Sequence, residues 1–205
     1  MLKKVIVMAA LALALPLAAF AGSSGVDFTN SGGTLTGSNS GLTLSGSSLV
    51  AVNGLNGMPI MAAPGLGSFS FSTGALLSGS LQQGGTFAGG GSFMIVGNGG
   101  NGLPNGTIFQ GSFSGPVTWT MVTLANGTHN YTLTGAITGN FNNNYTTDGI
   151  TVQLTVNTKG LYNGQAIAGS SGDTNILVPE PGTLTLFGTG LVGLAGLVRR
   201  KLNVG

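Results

Sequence analysis

The sequence predicts an all-β domain, an antiparallel sandwich or barrel, that lies between an N-terminal signal peptide and a C-terminal transmembrane helix. Three observations favour this class. Apolar and polar residues alternate with the period of a strand, Gly and Asn interrupt the chain every few residues, and no interior stretch has helical periodicity. The two strongly apolar runs lie at the ends of the chain.

Charge is scarce in this chain of 205 residues. Only 5% of them are charged, against about 25% in typical soluble domains. Five of the six Lys and Arg residues lie near the two termini, so the net charge of +2 provides no basic face for nucleic acid. The absence of cysteine excludes a disulfide scaffold and thiolate metal sites.

The N-terminus has the three parts of a secretory signal peptide. Lys3 and Lys4 precede an apolar run over Val5–Phe20, and Ala19 and Ala21 form an A-x-A cleavage site. We therefore expect residues 1–21 to be a signal peptide that the export machinery recognises and signal peptidase removes.

The second apolar run, Thr183–Val198, would span about 24 Å as a helix at about 1.5 Å per residue. This is short for a hydrocarbon core of about 30 Å. Nevertheless, Arg199, Arg200 and Lys201 follow it, as expected at the cytoplasmic end of a membrane segment. Residues 183–198 are therefore predicted to be a transmembrane segment, with the preceding domain outside the cell.

The residues before and after this segment resemble a known sorting signal. Val178, Pro179, Glu180 and Pro181, then a short Leu/Gly-rich span, then Arg199 to Lys201 resemble the PEP-CTERM signal of Gram-negative bacteria that make exopolysaccharide. The resemblance covers residues 178–205. It implies processing at the Pro-Glu-Pro motif by exosortase, a membrane cysteine protease, through an inner-membrane intermediate.

The region between these signals divides into a β-rich extracellular domain at 22–167 and a polar linker at 168–177. Its clearest unit is a hairpin around Asn126-Gly127. A two-residue loop would mix apolar and polar side chains on both faces, whereas a three-residue loop with Gly127 left-handed places Trp119, Tyr131 and Leu133 on one face. Burial favours the second register, with Trp119 in the core.

A β-solenoid is the alternative architecture. "GTLTG" at 33–37 and "GLTLSG" at 41–46 recur about eight residues apart, as in short repeat arrays. The period is lost after Leu49, so a sandwich or barrel is preferred. Residues 98–104 are expected to form a long loop, since no helix follows their G-x-G-x-x-G match at 97–102.

Catalytic chemistry has few candidates. His129 is the only histidine and has no G-x-S-x-G serine to act on, and nothing places Asp148 beside Asp173 as a carboxylate pair. Asn142 to Asn144 with Asp148 lack the spacing of a calcium loop. We expect no enzyme activity, no cofactor and no metal site.

The sequence therefore predicts a non-enzymatic exported protein with a structural or adhesive role at the cell surface or in the exopolysaccharide matrix. An uncharged surface of Ser, Thr and Asn suits contact with neutral, hydrated glycans. The alternative is a carbohydrate-binding module of the cell envelope, in which Tyr145, Tyr162 or an exposed Trp119 stacks on sugar rings.

Overall fold

Antiparallel strands make up most of the chain that the structure, a computed structural model, describes: residues 24–141, 145–169 and 171–178. The all-β prediction is confirmed. One short 3-10 turn, Leu55–Gly57, interrupts this part of the chain. The strands are Ser24–Ser31 (β1), Thr34–Ser38 (β2), Gly41–Asn53 (β3), Met61–Ser72 (β4), Leu76–Ser80 (β5), Gly84–Phe87 (β6), Gly90–Asn98 (β7), Asn105–Phe113 (β8), Val117–Thr123 (β9), His129–Phe141 (β10), Tyr145–Thr158 (β11), Ile167–Ala168 (β12) and Ser171–Val178 (β13).

The sheet closes on itself. Its hydrogen-bonded order runs β11-β13-β1-β3-β4-β7-β8-β10, and β10 pairs again with β11. The remaining strands extend this ring: β9, β6 and β5 continue from β10, while β2 pairs with β3 and β12. A closed ring of this kind is a barrel and not two stacked sheets.

Several neighbouring short strands are parts of one bent strand. For example, β8 and β9 both pair with β10. On their other side, β7 pairs with β8 and β6 pairs with β9. Glycines lie at the bends because neighbouring backbones approach closely there. A Cβ added to Gly74 would lie 2.5 Å from the carbonyl oxygen of Gly89, and one added to Gly89 would lie 2.8 Å from that of Gly115.

The solenoid alternative is wrong. The two similar segments that suggested it are the arms of one hairpin, in which Leu35 of β2 lies opposite Leu44 of β3. Their similarity arises because both arms place a leucine in the same core, where each is fully buried. Stacked solenoid repeats would instead run parallel.

The predicted hairpin register is confirmed. Trp119 of β9 lies opposite Leu133 of β10, and Met121 lies opposite Tyr131, as the three-residue loop requires. Gly127 has a φ of 79°, and its N–H donates to the carbonyl oxygen of Leu124 at 2.9 Å. Trp119 is 1% exposed and therefore belongs to the core.

The expected linker at 168–177 is wrong, because most of it is strand β13. This strand lies between β11 and β1 and so closes the ring. Its inward positions are Gly172, Thr174 and Ile176, of which only the last is strongly apolar. The alternation of apolar and polar residues in β13 is therefore weak, and the strand is stabilised by pairing with its neighbours. Residues Gly25–Val178 form one compact unit.

Candidate functional site

The predicted sorting and cleavage residues lie almost entirely outside the described residues. This applies to the signal peptide with Ala19 and Ala21, to the segment 183–198, and to Pro179, Glu180, Pro181, Arg199, Arg200 and Lys201. Val178 is the exception, as the last residue of β13. The Pro-Glu-Pro motif therefore begins at the residue after the strand that closes the sheet.

A polar surface covers the outer side of β9, β10, β11 and β13. The registers align its side chains in two rows across four strands, and all of them are exposed or half-buried. We call them the threonine face. Its rows are Thr118, Thr134, Gln153 and Asp173, and Thr120, Thr132, Thr155 and Ser171.

The geometry of a sheet spaces the side chains of the threonine face regularly. Directly opposite residues have Cβ atoms about 4.5–5.5 Å apart, and alternate residues along a strand are about 6.8 Å apart. Asp173 is the one ionisable group among the eight residues. The face thus offers closely spaced hydroxyl groups with very little charge.

Aromatic rings are absent from the described surface. Every Phe, Tyr and Trp whose side chain the structure describes is buried, including Trp119 and Tyr162. Neither of these two can stack on a sugar as the carbohydrate-binding alternative requires. The side chain of Tyr145 lies outside what the structure describes.

Three buried aromatic residues form a cluster under the loop that follows β11. The Trp119 and Tyr131 rings stack with centroids 5.0 Å apart, and the Tyr162 ring meets both at steep angles. The indole N–H of Trp119 donates to the carbonyl oxygen of Leu81 at 3.0 Å. The Tyr131 hydroxyl donates to the carbonyl oxygen of Gln82 at 2.8 Å and accepts from the Tyr162 N–H at 3.0 Å.

The Tyr162 hydroxyl, in contrast, is buried without a hydrogen-bond partner. Burial disfavours its ionised form and raises the pKa of Tyr162 to about 12 from 10.0.

Two carboxylates on the neighbouring strands β1 and β13 lie close enough to interact electrostatically, a proximity that the sequence did not indicate. The Thr29 hydroxyl donates to Oδ1 of Asp173 at 2.8 Å. The pKa of Asp27 is raised, chiefly by burial and secondly by the charge of Asp173, against a hydrogen bond from the backbone of Phe28 that lowers it. Only the positions of β1 and β13 as ring neighbours bring these residues together.

The register separates the remaining candidate catalytic groups. Asp173 lies opposite Gln153 of β11, while His129 lies opposite Thr158, five residues further along the same strand. At about 3.3 Å per residue this is about 16 Å. His129 is half-buried, and its Nδ1 lies 3.0 Å from the hydroxyl of Thr123.

Asp148 lies five residues from Gln153 in the other direction, and its side chain is outside the description, as are Asn142 to Asn144. Among the residues that the structure describes, no three His, Cys, Asp or Glu side chains are grouped so that they could hold a metal.

The predicted loop at 98–104 is confirmed. It joins β7 to β8, two strands, so its glycines precede no helix. Asn98 is the last residue of β7, and its side-chain oxygen accepts from the N–H of Gly100 at 2.7 Å. The N–H of Leu103 donates to the carbonyl oxygen of Gly100 at 2.9 Å. A dinucleotide site of the G-x-G-x-x-G type requires a helix after the glycines.

A surface pocket of about 390 Å³ lies beside the threonine face, at the end of β11. We call it the Lys159 pocket. Its lining combines amide, hydroxyl, cationic and apolar groups, from Asn157, Thr158, Lys159, Gly160, Leu161, Tyr162, Gln165, Ile167 and Ala168.

The C-terminal residues of the chain match a known family model. Residues 177–201 match the PEP-CTERM protein-sorting motif. The chain carries a PEP-CTERM sorting motif. The match begins within β13, at Leu177. No curated protein and no solved structure matches the chain.

The PEP-CTERM motif implies an exported protein that exosortase-type machinery processes on the way to the cell surface. No helix within the described ranges has the length and hydropathy needed to cross a membrane.

Proposed function

We propose that this protein is a non-enzymatic component of the cell surface or the exopolysaccharide matrix, with a structural or adhesive role. Signal peptidase removes residues 1–21, residues 183–198 hold the intermediate in the inner membrane, and exosortase acts at the Pro-Glu-Pro motif. The PEP-CTERM motif supports export, and the threonine face supports the role of the exported domain.

The threonine face is the observation that carries this role. Hydroxyl groups donate and accept hydrogen bonds without the desolvation cost of a full charge. A neutral polysaccharide presents hydroxyl groups as well, so the face can exchange its hydrogen bonds with water for hydrogen bonds with glycan. The separation of His129 from Asp173 gives no support to an acid–base mechanism, which is why we propose no enzyme activity.

Stacking on sugar rings is not part of this proposal, because Trp119 and Tyr162 are buried. Contact through hydroxyl groups is weaker for each residue but extends over several strands. We therefore expect adhesion to depend on the whole face.

The test is retention of the exported protein by exopolysaccharide from the producing cells. The double variant Thr118→Val, Thr134→Val removes two hydroxyl groups from an exposed cross-strand pair and keeps β-branched side chains. The matched control is Thr36→Val, Thr43→Val, which alters an exposed cross-strand pair on β2 and β3, away from the face.

We expect the fraction that sediments with the polysaccharide to fall several-fold for the first variant and to stay at the wild-type level for the control. Retention of both variants at the wild-type level would contradict an adhesive role for the threonine face. An equal reduction in both would show that adhesion is not specific to the threonine face.

A further inference from the structure

The Lys159 pocket is an open surface depression whose volume falls within the range of small-ligand sites. Its volume of about 390 Å³ lies toward the lower end of the range of about 300–1,000 Å³ for small-molecule sites. The amides of Asn157 and Gln165 are exposed, and Leu161 is 46% exposed. The pocket therefore combines hydrogen-bonding groups with apolar surface, as a sugar with its hydroxyl and C–H groups requires.

The only positive side chain between Gly25 and Val178 is that of Lys159, at this pocket. The other five Lys and Arg residues lie at positions 3–4 and 199–201. Lys159 is exposed. Among the acidic residues whose side chains the structure describes, Asp173 is the one on a strand that pairs with β11, and it lies opposite Gln153, six residues before Lys159. This is about 20 Å away, so the charge of Lys159 remains available to a ligand.

The pocket wall is held in place by the core. The N–H of Tyr162 donates to the Tyr131 hydroxyl at 3.0 Å, and the carbonyl oxygen of Gly164 accepts from the N–H of Gly37 at 3.0 Å. Ile167 pairs with Leu35 in the β12–β2 ladder. Because the wall is ordered before a ligand arrives, binding needs little further loss of conformational entropy.

We propose that the Lys159 pocket binds a saccharide unit that bears a carboxylate, a sugar of the uronic acid class. The ligand carboxylate contacts the Lys159 ammonium, its hydroxyl groups contact the amides of Asn157 and Gln165, and its C–H groups contact Leu161. This inference rests on the proposed function, since it adds an acidic unit, held at Lys159, to a glycan whose neutral hydroxyl groups contact the threonine face.

The test is titration of the purified full chain, in mild detergent, with a galacturonic acid oligomer. The neutral comparison is a galactose oligomer of the same length, and acetate reports on a site for simple anions. The variants are Lys159→Gln, which removes the charge, and Lys159→Arg, which keeps it. Trp119 fluorescence verifies that each variant is folded, because Trp119 lies in the core beneath the pocket.

We expect the acidic oligomer to bind at least tenfold more tightly than the neutral one, and Lys159→Gln to remove most of this preference. Lys159→Arg should keep the preference, and 0.5 M salt should weaken it. Equal affinity for the two oligomers, no effect of Lys159→Gln, or competition by acetate at the same concentration as the uronate would each overturn the inference.

The two proposals can fail separately. If the pocket does not bind uronate while Thr118→Val, Thr134→Val still reduces matrix retention, only the pocket assignment fails. If the pocket binds uronate and the exported protein is not retained by polysaccharide, the adhesive role fails.

Discussion

Two buried tyrosines differ in one respect that predicts opposite effects of the same substitution. The Tyr131 hydroxyl has two hydrogen-bond partners, whereas the Tyr162 hydroxyl has none. Tyr131→Phe leaves the carbonyl oxygen of Gln82 and the N–H of Tyr162 unpaired, so we expect it to lower the free energy of unfolding by about 1–3 kcal/mol at pH 7. Tyr162→Phe leaves no group unpaired and should be neutral, or stabilising by about 1 kcal/mol.

The raised pKa of Tyr162 adds a dependence on pH. The phenol ionises near 10.0 when unfolded and at about 12 when folded. Ionisation of Tyr162 therefore leaves the free energy of unfolding unchanged well below pH 10 and lowers it as the pH rises toward 12. Two pKa units correspond to about 2.7 kcal/mol. The wild type should lose about 2 kcal/mol of this relative to Tyr162→Phe between pH 10 and pH 12, and the remainder outside this interval.

Urea unfolding followed by Trp119 fluorescence from pH 7 to pH 12 measures both effects. The quantity of interest is the difference in unfolding free energy between the wild type and Tyr162→Phe at each pH. A difference that stays constant between pH 9 and pH 12 would refute the assignment of the pKa to burial. A greater loss at pH 7 for Tyr162→Phe than for Tyr131→Phe would refute the hydrogen-bond account.

Two further predictions concern glycine and the carboxylate pair. Gly91 and Gly46 have similar positive φ values of 69° and 65°, but a Cβ would lie 2.0 Å from the backbone oxygen of Ser72 at Gly91 and would meet nothing within 4 Å at Gly46. Gly46→Ala should lower the free energy of unfolding by about 1–2 kcal/mol through the left-handed conformation alone, and Gly91→Ala should lower it much more. Equal decreases in melting temperature for the two variants would contradict the steric clash at Gly91. Because the folded-state pKa of Asp27 is raised, by burial and then by Asp173, its contribution to stability is present below its ordinary pKa and is lost as the pH rises through the folded value. Asp27→Asn should therefore raise the urea midpoint of unfolding at pH 7 and make this midpoint change less between pH 4 and pH 7. A lower midpoint than the wild type at pH 7 would contradict this account of Asp27.

The sequence predicted the hairpin correctly because two independent constraints agreed. The turn residues allowed two registers, and only one of them buried Trp119, Tyr131 and Leu133 together. The alternation Val152, Leu154, Val156 is likewise buried as expected. Where the inward residues of a strand are strongly apolar, their period of two is sufficient to predict the strand and its buried face.

Strand β13 could not be predicted in this way. Its inward side chains include Thr174, and one inward position is Gly172, so its pattern resembles a polar linker. What stabilises it is the pairing with β11 and β1, and closure of a ring depends on the whole chain. The proximity of Asp27 to Asp173 follows from the same long-range closure, so it had no local sequence pattern.

The most direct test of the central claim is the intact mass of the protein that producing cells deliver to their surface or medium. We predict a species that begins at Gly22 and ends between Val178 and Pro181, so that it retains the whole of β13 and lacks Arg199 to Lys201. Recovery of the full-length chain inside the cell would contradict export through the PEP-CTERM motif. A product that ends before Ser171 would contradict the assignment of β13 to the mature domain.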